Sequence, residues 1–393
     1  MRSEWVTSEL SKLANFIDYR GKTPPKQSFG IPLITAKIIK ENRIQSPQEF
    51  IACDFYDEWM RRGIPNKGDV IFTTEAPLGE VAQIRTEEKQ AFAQRIIILQ
   101  ANPEQLDNTY LFYNLQYSKT KGRIEARSSG TTVFGIKSAE LKKVVIDYPS
   151  LPEQRAIAAT LSCLDDKIEI NNKINANLEA QAQAIFKSWF VDFEPWGGII
   201  PEGWREGCLA DVCSYCSDRV PVSTLSLNTY ISTENMLPNK MGFVNATNLP
   251  TTSQTTSFKN GDILISNIRP YFKKIIYCDF DGGCSTDVLC FHTFESYASL
   301  FLYCALYSDR FFDYMVAGVR GTKMPRGDKQ QVMNYALVIP NAEALSEFNS
   351  VISPLMKNKS LLAVESAHLA AIRDALLPML MSGEIRVAAE VRL

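Results

Sequence analysis

The 393-residue sequence predicts an α+β protein: two mixed α/β domains joined by two long antiparallel coiled-coil helices, with an internal pseudo-two-fold. Three observations carry this reading. Residues Ile157, Leu161, Leu164, Ile168, Leu178, Ala182, Ile185 and Trp189 recur at alternating steps of four and three, with Asn171 and Asn175 filling the gaps. That is the period of a helix packed along its length on another helix. The same rhythm returns over Leu345, Phe348, Ile352, Leu355, Leu362, Leu369, Leu376 and Leu380, interrupted by Lys359, Ser366 and Arg373. The chain also repeats itself. Lys67-Gly68-Asp69-Val70-Ile71-Phe72-Thr73 is echoed by Asn260-Gly261-Asp262-Ile263-Leu264-Ile265-Ser266, and Gly130-Thr131 by Gly321-Thr322. A repeat on this scale makes one structural plan used twice. The expected order is a domain over 1–150, a helix over 151–195, a domain over 196–341, a helix over 342–385 and a short tail over 386–393.

Residues 1–150 begin with Trp5 to Ile17. They continue into Tyr19-Arg20-Gly21-Lys22-Thr23-Pro24-Pro25-Lys26, a basic loop punctuated by Gly and Pro. Ile31 to Ile34 and Ile38-Ile39 read as short strands. Asn66 to Asp69 forms a turn into the buried strand Val70-Ile71-Phe72, followed by the loop Thr73 to Gly79 and a strand over Val81 to Ile84. Arg95 to Leu99 is a further strand, and Leu106 to Gln116 a helix. Lys119 to Thr132 reads as a loop; its Lys119, Lys121, Arg123 and Arg127 against Glu125 make it the first choice for contact with phosphate.

The first long helix opens at Pro152 and Glu153, since proline lacks only an N–H that the first turn leaves unpaired and the acid faces the positive end of the dipole. It stops at Phe193 to Gly198. About forty residues at 1.5 Å each make a rod of roughly 60 Å, which must lie on a partner or melt. Its partner is the second helix, and an antiparallel pair places the two domains at opposite ends. Pro354 is expected to kink that second helix or move its start.

The second domain repeats the plan with different surface residues. Its polar segment, Asn228 to Asn248, is longer than the corresponding part of the first. Gly261 to Ser266 leads into a stretch with Arg269, Lys273 and Lys274, and the loop Gly318 to Lys329 carries Arg320, Lys323 and Arg326. Basic patches at duplicated places point to nucleic acid, although a single charge run is ordinarily a solvated face. Arg20, Lys22 and Lys26 complete the candidate set.

The formal charge of −2 gives no global sign of a nucleic-acid partner. No apolar run approaches the length needed to cross a bilayer, and Met-Arg-Ser-Glu-Trp does not read as a signal peptide. Nine cysteines without regular spacing suit a reducing cytoplasm better than a disulfide scaffold. Catalytic equipment is missing: no glycine-rich loop ending in Gly-Lys-Ser/Thr, no Gly-x-Gly-x-x-Gly and no Asn-Pro-Pro-Tyr-like adenine pocket. Cys213-x-x-Cys216 is half of a zinc site, but with no second such pair the cysteines read as buried thiols and no metal is expected. Asp69 and Asp262 read as turn-forming aspartates at equivalent strand mouths. Phe186, Phe190 and Phe193 lie off the helix seam, so they are expected to form a docking surface for another protein, with membership of a core as the competing reading.

Residues 67–79, Leu151-Pro152-Glu153-Gln154-Arg155-Ala156-Ile157-Ala158, Leu164-Asp165-Asp166-Lys167-Ile168-Glu169, Phe186 to Phe193 and Leu376 to Ile385 resemble the DNA specificity subunit of type I restriction-modification enzymes. The likeness spans essentially the whole chain. It implies two target recognition domains, each reading one half of a split duplex DNA sequence, and two spacer helices that bind methyltransferase subunits. It also implies a non-catalytic chain in the cytoplasm, with S-adenosylmethionine, ATP and Mg2+ held by partners: two methyltransferase subunits and the restriction subunits. Recognition domains vary within that family, so no base-reading residue follows from the likeness. Two other readings compete: a standalone sequence-specific enzyme, which would cleave or modify DNA unaided, and a scaffold without DNA contact.

Overall fold

A computed structural model describes residues 5–21, 23–130, 132–321 and 323–387. The chain divides into two compact units, one drawn from the part up to Glu169 together with the part from Ser366 on, the other Ile170–Glu365. In the first unit, strands β1 (Ala14–Asp18), β2 (Val70–Thr74), β3 (Leu78–Gln83) and β4 (Ile96–Ala101) form an antiparallel sheet in the order β1-β4-β2-β3. Alternate residues of a strand face opposite sides, and here both sides are buried. Val70, Phe72, Ile97 and Leu99 pack on helices α1 (Asn108–Gln116) and α2 (Ser118–Glu125) and on the opening turns of α3 (Leu151–Phe190). Ile71, Ile96 and Ile98 face a smaller sheet built from Ile31–Ile34, Phe50–Ile51 and Ala91–Phe92. This explains why β2 and β4 read as unbroken apolar runs.

The second unit repeats the topology. Strands β5 (Cys213–Tyr215), β6 (Ile263–Ser266), β7 (Ile275–Tyr277) and β8 (Val288–Thr293) run in the order β5-β8-β6-β7. Ile263, Ile265, Leu289 and Phe291 pack on helices α4 (Ser299–Tyr307) and α5 (Asp309–Ala317). Leu264 and Cys290 face the other side. The parallel pairing of Ile31–Ile34 with Ala91–Phe92 also recurs, as Tyr230–Ile231 with Gly282–Cys284.

The start of α3 is fixed by Gln154, which is fully buried. Its side-chain amide donates to the carbonyls of Gln105 and Pro149, and its oxygen accepts from the N–H of Asp107. The helix ends where Phe193 turns left-handed at φ 55°. In the first unit α3 runs antiparallel to α6 (Ala342–Ser382), as the pairs Asp165–Arg373 at 2.6 Å and Glu153–Arg386 at 3.8 Å show. In the second unit Asn171 donates to Glu365 at 2.7 Å, and Phe190 meets Phe348 with ring centroids 4.9 Å apart, again antiparallel. Every residue of both predicted stripes is withdrawn from exposure, from Ile157 to Trp189 and from Leu345 through Leu355, Leu362, Leu369 and Leu376 to Leu380.

Three expectations are corrected. Pro354 does not move the start of α6, which is continuous from Ala342; the proline lies on the exposed face, where water can take the carbonyl it leaves without a donor. Phe186 and Phe190 are not a docking face. Both are buried among Phe301, Phe348 and Trp204 in the second unit's main core, and Phe193 is half-buried against Trp204. The helix is wrapped by its domain as well as by its partner, so its apolar arc is wider than a two-helix seam requires. Finally, the cysteines are not all free thiols. Cys213 donates to the carbonyl of Leu209 in one core, while Cys216 is bridged to Cys290 beside the other. Neighbouring antiparallel positions bring those two Cα atoms to 5.4 Å, within the span a disulfide needs.

Two cationic interruptions of the seam, Lys359 and Arg373, meet buried carboxylates of the facing helix. Asp165 accepts from Tyr113 of α1 at 2.6 Å as well as from Arg373. Glu179 accepts from Tyr303 of α4 at 2.9 Å and from Lys359. Each unit thus fastens its domain to both helices through a tyrosine, a buried carboxylate and a cation.

Candidate nucleic-acid interface

Each domain carries the same frame of two loops. In the first, the loop leaving β2 passes through Ala76, held at φ 46°. The loop 129–135 is closed by reciprocal backbone bonds between Ser129 and Gly135 and tied to β2 by the Ile136 N–H on the Thr74 carbonyl. A Cβ on Gly130, at φ 135°, would lie 2.1 Å from the Val133 oxygen, so this turn requires glycine. In the second domain, Arg269 is held at φ 50°, Arg320 and Arg326 exchange backbone bonds, and the Gly327 N–H meets the Asn267 carbonyl. A left-handed non-glycine residue at both equivalent places is costly to maintain, and such strain concentrates at binding sites.

The first frame borders a cleft of about 510 Å³ lined by Arg20, Thr74, Glu75, Gln94, Arg95 and Lys137. Arg20 is presented rigidly: its guanidinium forks onto Asp18 at 2.7–3.1 Å, and Arg62 bonds to the carbonyls of Asp18 and Arg20. Burial raises the pKa of Asp18, but the hydrogen bonds and charge of Arg20 outweigh it and hold the group below its ordinary value. Arg95 pairs with Glu75 at 3.1 Å. The second frame presents Arg269, Arg320 and Arg326. Arg320 pairs with Asp328 at 2.5 Å and Arg326 with Asp287 at 2.9 Å. Exposed apolar side chains flank the frames, Val133 and Phe134 in one and Tyr271 and Met324 in the other.

Arg20, Arg269, Arg320 and Arg326 are thus brought to the frames, and Lys323 is exposed on the second frame's loop. Lys22 lies outside the described residues. The Lys119 to Thr132 segment is not a single loop, because its first part is helix α2. Thr120 and Ile124, four residues apart, bury one face of that helix; Gly122 hid the pattern, although it is tolerated where a Cβ would meet open space. Lys119 and Arg123 converge on Asp147 at 2.9 and 3.1 Å, and Arg127 pairs with Glu140 at 3.0 Å. Burial pushes the Asp147 carboxyl up, yet hydrogen bonds from Lys119 and Thr7 and the charge of Arg123 leave it below its ordinary value. Lys26 pairs with Glu49, and Lys274 donates to the carbonyl of Thr233, burial lowering its pKa. Lys273 shares Asp309 with Lys240, and these two hydrogen bonds draw the Asp309 pKa down to about 2. Lys121, Arg269 and Lys323 have no ion-pair partner among the described residues.

Arg95, Gln94 and Lys137 were missed from the sequence. Gln94 and Arg95 are neighbours, but they lie far along the chain from Lys137 and from Thr74, and the group meets only through the β2–β4 pairing and the loop bond to Thr74. Among the described residues no helix is long and apolar enough to cross a membrane.

Comparison with known proteins now bears on this geometry. Residues 2–180 match the type I restriction modification DNA specificity domain. The chain is 30% identical over 355 residues to the type I restriction enzyme MjaIX specificity subunit of Methanocaldococcus jannaschii, covering 82% of this chain and 78% of that one. It is also 30% identical over 133 residues to the HindI specificity subunit of Haemophilus influenzae, covering 33% of this chain and 29% of that one. The crystal structure of a type I restriction-modification S subunit from M. genitalium shares its fold, with a TM-score of 0.58 at 17% identity over 96% of each chain. The duplicated domains, the two long helices and the relationship to the Methanocaldococcus protein lead to one assignment: this chain belongs to the specificity subunits of type I restriction-modification systems, which are non-catalytic.

Proposed function

We propose that the chain reads a bipartite, asymmetric duplex DNA target with a fixed gap, one half by each domain, and docks two methyltransferase subunits that modify adenine, with restriction subunits joining for cleavage. S-adenosylmethionine, ATP and Mg2+ belong to those partners in this reading. The observation that carries it is the loop frame, built twice on one backbone plan but lined with different side chains: Arg20, Arg95 and Lys137 in one, Arg269, Arg320 and Arg326 in the other. Equal frames with unequal linings favour two different half-sites. Arginine forks suit the acceptor pair of guanine or a phosphate, and the exposed apolar tips suit thymine methyl groups.

With Phe186 and Phe190 in the core, subunit docking falls to the outer faces of the helices. In the second unit Ile170 and Ile174 on α3 and Leu361 and Val364 on α6 are exposed, and the Asn171–Glu365 bond puts the two rows at about the same level. Apolar rows on a polar helix pair favour packing by further helices.

DNA contact is tested by titrating duplex with the assembled methyltransferase at several salt concentrations. Neutralising Lys121, Arg269 or Lys323 singly to Gln is expected to lower the slope of log affinity against log salt by about one for each phosphate no longer neutralised. For Lys121 the weakening should be equal on cognate and non-cognate duplex, since phosphates carry no sequence information directly. A variant with unchanged affinity and slope returns its residue to the solvated surface.

A further inference from the structure

We infer that the second domain holds a binding site for a borderline-soft divalent cation of the zinc class, formed by Cys216, Cys290 and Asp262 with His292 behind the carboxylate. The sulfur and carboxylate atoms of the first three lie within 4.8 Å of one another. Asp262 Oδ2 is 3.6 Å from the sulfur of Cys216 and 3.8 Å from that of Cys290. Ligands bound tetrahedrally at about 2.0–2.3 Å stand roughly 3.3–3.8 Å apart, so both edges already have the required length. His292 Nδ1 lies 2.6 Å from Asp262 Oδ1, close enough to be a hydrogen bond. That makes His292 a positioning residue, orienting the carboxylate as partners of metal ligands do.

The duplication supplies an independent comparison. Strand pairing aligns Ile17 with Cys216, Asp69 with Asp262, Ile98 with Cys290 and Gln100 with His292. In the first domain Ile17 and Ile98 are ordinary core residues, and Asp69 is satisfied by the side-chain amide of Gln100 at 2.6 Å and the backbone of Asn66 at 2.8 Å. The frame therefore needs neither sulfur nor imidazole to fold. The second domain has replaced all three neighbours of one buried aspartate with metal-binding types. Cys216 is only partly buried and His292 is exposed, which opens a route for the ion and leaves a fourth position for water.

The bridge between Cys216 and Cys290 is the oxidised form of this pair, and metal binding requires the reduced one. A dithiol reductant passes two electrons and two protons to the sulfurs and itself closes to a disulfide; the cation then displaces the two protons and takes the thiolates.

The test uses the full chain, reduced with a phosphine and titrated anaerobically with Co2+. One equivalent is expected to bind with thiolate-to-cobalt charge-transfer absorption, and Zn2+ should displace it. Cys216→Ser should remove the absorption, and since Cys216 is the less buried sulfur this variant keeps the test separate from folding. His292→Ala should retain the absorption while weakening binding roughly 10–100-fold. Changing the exposed Cys53 and Cys163 to Ser should alter neither. Absence of the absorption in the reduced wild-type chain, its persistence in Cys216→Ser, or a bridge that resists reduction would overturn the assignment.

Discussion

Phe190→Ala is expected to destabilise the second unit by about 3–5 kcal/mol, the range for truncating a buried aromatic side chain without full collapse of the cavity. Phe190 is 5% exposed, and its ring centroid lies 4.9 Å from Phe301, 4.9 Å from Phe348 and 5.5 Å from Trp204. It therefore joins α3, α6 and the domain core at one point, and no neighbouring ring can move in without leaving its other partners. Hydrogen exchange should show the loss of protection concentrated in α4 and the facing turns of α3 and α6. A variant as stable as wild type, but unable to retain a methyltransferase subunit, would restore the docking role that burial removes.

The second large effect concerns the buried carboxylates. Arg373→Met should cost about 3 kcal/mol, because Asp165 would keep only the Tyr113 hydroxyl and lose its cation in a site largely closed to water. Asp165→Leu together with Arg373→Met should regain much of that loss, since the penalty belongs to the uncompensated charge more than to the pair. Urea midpoints at constant slope measure both. If the single variant falls within the scatter of surface substitutions, the Tyr113–Asp165–Arg373 link is not what fastens the first domain to its helices.

These two networks mark the boundary of what could be read from sequence. The helices were legible because burial repeats every three or four residues over forty positions, a signal that no local irregularity erases. The duplicated sheets were legible because β2 and β6 are buried on both faces and begin with the same Gly-Asp turn. What Lys359 and Arg373 do was not legible. Their partners Glu179 and Asp165 sit beside seam positions on the other helix, and only the antiparallel register brings them together. Phe186 and Phe190 were misplaced for a related reason: a two-helix seam has one buried arc, whereas a domain packed on the pair buries a second. The loop frames were half legible. The basic residues and the echoed Gly-Thr pairs at 130 and 321 marked the loops, but Arg95 and Lys137 reach the cleft through strand pairing, which leaves no trace in local spacing. The site at Asp262 was hidden by a decoy, since Cys213 and Cys216 share a familiar spacing yet face different cores.

The central claim is that two domains read two half-sites whose separation is set by the paired helices. The most direct measurement is the methylome of cells carrying the cognate methyltransferase and a chain lengthened by seven residues, two helical turns, in α3 beyond Asn172 and in α6 at the matching level. Seven residues preserve the four-three seam and add about 10 Å of helix. At 3.4 Å per base pair along a strand, the methylated motif should keep both half-sequences and gain roughly three base pairs between them. An active variant that methylates the original motif with its original gap would contradict the account.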